Sequence, residues 1–259
     1  MSKFQDPNFF KVETLTKNFG GFTAVSELSF KLPRGEIMGL VGPNGAGKTT
    51  VFNLVTGFLK PSKGRIIFKD KEITYLKPHE IAREGLVRTF QLNKIFSSLS
   101  VEENIRIGCY GYEKGGLMRF LFNPPKNERD NIEEAANKIL DLIGLKGLRK
   151  KIAADLSYGD HKRLGIGISL GAKPNLLLLD EPFAGMNPVE TQKCMDILRR
   201  IVEQGITILL IDHDMRAVMG ICGSILVLNF GKKIAEGRPE EIRENPEVVT
   251  TYLGSIRVA

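Results

Sequence analysis

The sequence predicts an α/β fold, a parallel sheet covered on both faces with a helical subdomain inserted into it. Three observations predict it. An apolar strand, Glu36-Ile-Met-Gly-Leu-Val41, runs directly into the glycine-rich stretch Gly42-Pro-Asn-Gly-Ala-Gly-Lys-Thr49 and then into helical spacing. After Pro174, near-continuous apolar runs alternate with helical patterns, which is how a parallel sheet reads when neither face meets water. Between the two, from Gln91 to about Leu170, the periodicity is mostly helical.

Taken in order, strand-like alternation appears around Phe10 to Leu15 and Leu28 to Leu32, ahead of the strand that feeds the glycine-rich loop. Val51, Phe52, Leu54 and Val55 place a helix over Gly47 to Gly57. Short strands are expected at Arg65 to Lys69 and Gly85 to Thr89, with a helical piece near His79 to Arg83 between them. The insertion carries helices at Val101 to Ile107, Asn131 to Ile143 and Ser157 to Gly171. The α/β rhythm then resumes with a strand at Leu176 to Asp180, a helix at Pro188 to Glu203, and strands at Ile206 to Ile211 and Ser224 to Leu228. Two short helices broken at Pro246 end the chain. Tyr110 to Asp130, rich in Gly, Pro and basic residues, is longer than an ordinary loop; it reads either as a partner-contacting insertion or as a surface loop.

At 259 residues the chain can bury a proper core, and one compact α/β body with an inserted subdomain is expected. No apolar run approaches the roughly 18 residues of a spanning helix, and the N-terminus, with an early acid and no apolar segment, does not read as a secretory signal. Cys109, Cys194 and Cys222 are far apart and form no ligand cluster with His79, His161 and His213, so a cytosolic chain without a metal cluster is expected. The net charge of +7 raises the question of nucleic acid, but the cations are scattered. Its densest run, Lys146 to Lys151, reads as a solvated face, and no nucleic-acid partner is expected. A milder use of the charge is proximity to an anionic membrane leaflet.

Polyphosphate needs several donors and a positive field in a small volume. Gly42, Gly45 and Gly47 allow the tight path that turns backbone N–H groups inward, and Pro43, Asn44, Ala46 and Thr50 complete the cradle. Lys48 is expected to reach the β- and γ-phosphates and Thr49 to place its hydroxyl on Mg²⁺, with the helix N-terminus aimed at the same oxygens. Leu176-Leu-Leu-Leu-Asp180-Glu181 is a buried strand ending in two acids. A hydrated Mg²⁺ is the natural partner for Asp180, and Glu181 is suited to orienting or deprotonating an attacking water. Ser157 fits the N-cap of the helix that follows it, and Gly159 in its first turn permits close backbone approach to an anion. One chain thus holds two phosphate-seeking helix starts.

The loop at 42 to 49, the segment Leu156-Ser157-Tyr158-Gly159, the acidic strand at 176 to 181 and the later His213 resemble, in order and spacing, an ABC-type ATPase subunit. The resemblance covers the chain from about Phe10 to Leu253. It implies a P-loop NTPase with a RecA-like core, an antiparallel β subdomain and an inserted helical subdomain. A single domain over 8–255 follows, with 8–90 and 172–238 as core and β subdomain, 91–171 as the helical subdomain and 239–259 as a helical tail. It also implies two subunits sandwiching two ATP molecules head to tail, each held by the loop of one and by Ser157 and Gly159 of the other. By position, Phe19 matches the aromatic that stacks on adenine, Gln91 the glutamine that reaches metal and attacking water, and His213 the histidine on the γ-phosphate. Asn187, in Ala184-Gly-Met-Asn187, replaces a usual acid, and Asp160 stands where glutamine is usual, placing an acid near the partner's nucleotide.

Tyr158, the 110–130 insertion, Asp212-His-Asp-Met215-Arg-Ala-Val-Met219-Gly and Val227-Leu-Asn-Phe-Gly231-Lys-Lys-Ile-Ala-Glu-Gly237 are similar to ATPase subunits of branched-chain amino-acid importers. That implies two membrane permeases, a periplasmic or extracellular binding protein, a same-type or sister ATPase as partner, and a place on the cytoplasmic face of the membrane. Importers of urea or short amides and the ATPase of lipopolysaccharide export share much of the pattern, and the insertion favours import. A non-transport ATPase of iron–sulphur assembly is the reading from another class.

Overall fold

The computed structural model describes residues 6–89, 95–111 and 126–251. Its framework is a six-stranded sheet made of β3 (Ile37–Val41), β6 (Leu86–Arg88), β7 (Leu176–Asp180), β8 (Thr207–Ile211), β9 (Ser224–Asn229) and β10 (Lys232–Gly237). The spatial order is β10-β9-β3-β8-β7-β6. Five strands run parallel and β10 returns antiparallel to β9 at one edge, so the sheet is mixed where an all-parallel one was expected. The sequence of β10, Lys-Lys-Ile-Ala-Glu-Gly, hides it. An edge strand facing water on one side needs no continuous apolar run and is kept from further pairing by its charges.

Side chains alternate cleanly across the interior strands. Ile37, Val41, Leu177, Leu179, Ile208, Leu210, Ile225 and Val227 enter one buried cluster, and Met38, Leu40, Leu176, Leu178, Leu209, Ile211, Leu226 and Leu228 enter another. Burial on both faces is what their unbroken apolar sequences anticipate.

The second cluster is closed by α1 (Lys48–Val55) and by a four-stranded antiparallel sheet in the order β2-β1-β4-β5. In it β1 (Phe10–Phe19) and β2 (Phe22–Leu32) form a hairpin, flanked by β4 (Lys63–Phe68) and the short β5 (Lys71–Glu72). The strand expected at Leu28 to Leu32 is therefore the end of a longer one, whose beginning at Phe22 to Val25 pairs with β1 across the Gly20-Gly21 turn. Between β5 and β6 lies α2 (Pro78–Arg83).

The first cluster is closed by α3 (Val101–Gly111), α4 (Lys126–Leu142), α5 (Tyr158–Gly171) and α6 (Pro188–Glu203). Helices α3 to α5 pack on one another and their core is continuous with the sheet face. Three short helices, α7 (Met215–Ile221), α8 (Pro239–Glu244) and α9 (Pro246–Thr251), complete the described chain. None of the described helices is long and apolar enough to cross a membrane. The thiols of Cys109, Cys194 and Cys222 are all buried.

Candidate active site

Because β3, β7 and β8 are parallel and adjacent, their C-terminal ends deliver three loops to one edge of the sheet, the side on which open α/β sheets bind ligands. Residues 42–47 follow β3, Asp180 ends β7 with Glu181 directly after it, and His213 follows β8.

The loop after β3 holds its shape through glycines at positive φ: Gly42 at 149°, Gly45 at 81° and Gly47 at 101°. A Cβ at Gly47 would stand 2.6 Å from the carbonyl oxygen of Ala24, so this position is closed to other residues by space as well as by φ. Gly47 caps α1 without a side-chain hydrogen bond, and no acid occupies the helix's first turn. The first-turn N–H groups, which no helix can satisfy internally, are thereby left for an anion. The loop is braced from behind by the Gly231 N–H donating to the Ala46 carbonyl at 3.0 Å. Pro43, Lys48 and Thr50 are half-buried, while Asn44 and Thr49 are exposed. The Lys48 ammonium donates to the carbonyls of Gly42 at 2.6 Å and Pro43 at 2.9 Å. Burial pushes its pKa down, and the carboxylates of Glu181 and Asp180 pull the other way, which sets all three charges in one neighbourhood.

Asp180 is 12% exposed and its Oδ2 accepts a hydrogen bond from Arg88 Nη2 at 2.6 Å. Glu181 is a non-glycine residue at φ 50°, a backbone state that costs of order 1–3 kcal/mol and needs support from its surroundings. Its N–H donates to Ile211 O at 2.7 Å and its carbonyl accepts from Lys162 Nζ at 2.8 Å. Those two contacts hold the twist and leave the carboxylate half in solvent, 3.9 Å from His213 Nδ1. His213 stands on a turn organised by buried Asp212, which accepts from the N–H groups of Phe183 at 2.8 Å, His213 at 2.7 Å and Asp214 at 2.9 Å. Burial raises the Asp212 pKa and these backbone donors oppose the rise.

Ser157 is the N-cap of α5, its hydroxyl accepting from the Asp160 N–H at 3.2 Å. Gly159 has a reason within its own chain: a Cβ there would stand 2.8 Å from Glu190 Oε1 at the start of α6. Glu190 closes a capping box with Asn187, whose Oδ1 accepts from Val189 N and Glu190 N at 3.0 Å each. Asn187, expected to be a replaced acid, thus serves as a helix cap. Asp160, the acid expected near the partner's nucleotide, lies in the first turn of α5. Its carboxylate forms an ion pair with Arg163, which also donates to the Ile143 carbonyl at 3.2 Å, so the charge is neutralised within α5. Phe19 ends β1 with its ring 48% exposed and Lys17 Nζ 5.0 Å from the ring centre, which rules out a core role. Gln91 and most of the 110–130 insertion lie outside the described residues.

Reasoning from the sequence passed over Arg88, Lys162 and Asp212. A signal existed for the first, because a lone arginine ends an apolar strand in Leu86-Val-Arg88. Lys162 stands beside Arg163 at a helix start, and only the packing of α5 against the loop after β7 singles it out.

The mixed sheet, the glycine-rich loop before α1 and the acids at the tip of β7 define an α/β nucleotide-binding protein of the P-loop class. More narrowly, the chain belongs to the ABC transporter family, which it matches over residues 25–184. Residues 232–256 match a second family, the branched-chain amino acid ATP-binding cassette transporter. The high-affinity branched-chain amino acid transport ATP-binding protein LivG of Salmonella typhimurium is 43% identical over 246 residues, covering 94% of this chain and 96% of that protein. Its counterpart BraF of Pseudomonas aeruginosa is 40% identical over 248 residues, covering 94% and 97%. The solved ADP conformation of MJ1267, an ATP-binding cassette of an ABC transporter, is similar with a TM-score of 0.84 and 34% identity, covering 95% of this chain and 98% of that one. The family resemblance read from the sequence is borne out.

Proposed function

We propose that this chain is the ATP-hydrolysing subunit of an importer of branched-chain amino acids. The observation that carries the reading is likeness over nearly the whole length to transport proteins of that cargo, joined by the separate match at 232–256 beyond the reach of the general family pattern. In this reading the chain pairs with a second ATPase subunit, identical or sister. The pair sits on the cytoplasmic face of the membrane under two permease subunits, fed by an external binding protein.

ATP places its phosphates in the loop 42–47, where Lys48 exchanges the carbonyls of Gly42 and Pro43 for β- and γ-phosphate oxygens. Phe19 offers an exposed ring to the adenine. Hard oxygen donors suit Mg²⁺, and the Thr49 hydroxyl and Asp180 Oδ1 make no hydrogen bond among the described residues, so these two would hold the ion, with Gln91 as the expected third. Bound there, Mg²⁺ supplies neutralisation of phosphate charge. Glu181 accepts the proton of the attacking water as its oxygen bonds to the γ-phosphorus, and ADP leaves with the electron pair of the broken bond. His213 donates to a γ-phosphate oxygen. Ser157 and the α5 N-terminus complete the partner's site across the dimer.

The test is Glu181→Gln. The variant is expected to bind ATP with unchanged affinity, lose about 10²–10⁴-fold in turnover and accumulate as an ATP-bound dimer. Turnover equal to the parent would overturn the assignment of the base. Co-purification of the chain with two permeases, and loss of leucine uptake when it is deleted, test the cargo.

A further inference from the structure

The pairing of Arg88 with Asp180 is more elaborate than a surface ion pair. Asp180 ends a strand whose preceding four leucines are buried, and an unpaired carboxylate in such a place is costly. Arg88, itself 13% exposed, meets it from the neighbouring strand β6. A second nitrogen of the same guanidinium, Nη1, donates to Asn53 Oδ1 at 2.7 Å, and the group lies over the Phe52 ring at 5.4 Å. Three elements, β6, β7 and α1, therefore converge on one cation. Asn53 stands four residues after Thr49, on the same face of α1, so the anchor of Arg88 is in register with the proposed metal hydroxyl. The planar fork matters, because a lysine could not reach Asp180 and Asn53 from two fixed nitrogens.

We infer that Arg88 is an internal counter-ion for Asp180, a positioning residue that keeps the carboxylate paired while no divalent cation is bound and so makes metal entry conditional on nucleotide. The inference rests on the reading of Asp180 as a metal-facing carboxylate. Arg88 and Lys48 already balance Asp180 and Glu181. A divalent cation arriving alone would add two positive charges to a half-buried, neutral neighbourhood, whereas one arriving with a triphosphate brings its own compensation. Arg88 also fixes which oxygen of Asp180 remains available, since Oδ2 is taken and Oδ1 is not.

The experiment uses the full chain without nucleotide and Mn²⁺ as a paramagnetic probe of binding. The parent is expected to bind Mn²⁺ no better than Asp180→Asn. Arg88→Met should bind it roughly tenfold or more tightly than the parent, because a like charge is removed from contact with the ligand carboxylate. The gain should vanish in the double variant with Asp180→Asn. Arg88→Met should also melt at a lower temperature than the parent and be partly restored by Mg²⁺ at constant ionic strength, a response the parent lacks. Should Arg88→Met fail to fold, Asn53→Ala loosens the same guanidinium and is expected to give an intermediate gain. Equal nucleotide-free Mn²⁺ affinity in the parent and the Arg88 and Asn53 variants overturns the inference, as does tight Asp180-dependent binding by the parent. A parallel titration with ATP present separates the two levels. Asp180-dependent Mn²⁺ binding there, with no effect of Arg88 in its absence, sinks only the counter-ion. No Asp180 dependence in either condition sinks the metal assignment beneath it.

Discussion

Glu102 sits in the first turn of α3 with its carboxylate 3% exposed, where it accepts from Arg149 Nε at 2.8 Å and pairs with Arg106 at 2.7 Å and Lys150 at 3.3 Å. Arg149 also reaches Glu133 on α4 at 3.1 Å, so one network ties α3, α4 and the segment at 146–151 together. The Arg149 hydrogen bond, with help from Arg106 and Lys150, outweighs the burial penalty and holds the Glu102 pKa down at about 2, from an ordinary 4.5. Taken at face value that shift corresponds to about 3 kcal/mol of native-state stabilisation. Arg106 and Arg149 are about a third exposed, so solvent screening reduces the figure to about 2 kcal/mol. The group is depressed in the folded state, so its contribution is full above the unfolded value near 4.5 and is lost as pH falls toward 2. Glu102→Gln should therefore be about 2 kcal/mol less stable than the parent at neutral pH, with the difference shrinking as pH falls below about 4.5. Urea unfolding of both proteins at a series of pH values measures the gap. A gap near zero at neutral pH, or one that persists unchanged in acid, would refute the electrostatic account of this network.

Three further outcomes are expected. Ser157→Arg fills the far side of the composite site and should abolish hydrolysis while leaving ATP binding by the isolated chain intact, as read by fluorescent-nucleotide titration; lost binding would contradict the sandwich. Phe19→Ala removes an exposed ring and should weaken ATP by roughly tenfold, the scale of one base–aromatic stack, while inorganic triphosphate binding stays unchanged. Lys162→Met withdraws the ammonium from the Glu181 carbonyl and should lower kcat about tenfold with little change in KM, since it touches the backbone of the proposed base and not the nucleotide. A raised KM at constant kcat would speak against that role.

The parts legible in the sequence share a physical property: each depends on neighbours along the chain. The loop 42–49 is readable because its glycines, its lysine and the strand before it are contiguous, and β7 because apolar burial and terminal acids sit within six residues. Ser157 could be assigned as a cap because capping is local, and the structure agrees. What escaped was set by packing between distant elements. Gly159 is held by Glu190, thirty-one positions on, and Asp180 by Arg88, ninety-two positions back. Asp160 is the exception, since its partner stands only three residues along the same helix. Its charge looked exposed to a nucleotide, and only the side-chain direction along α5 reveals Arg163 as its partner. The strand β10 was missed for a different reason, since a polar edge lacks the apolar signal by which strands are read.

The grip of Lys48 on the carbonyls of Gly42 and Pro43 has a kinetic meaning. Before any ligand arrives, its ammonium already spans the loop as a phosphate would be spanned, and the backbone around it is fixed by glycine torsions and by the Gly231 brace. On the proposed reading of this loop, capture of a triphosphate requires Lys48 to change partners, a rotamer motion of nanoseconds. In that reading the entropy of shaping the pocket is largely settled during folding, which leaves encounter with the nucleotide to diffusion and charge and displaces slow steps to the movements that follow capture.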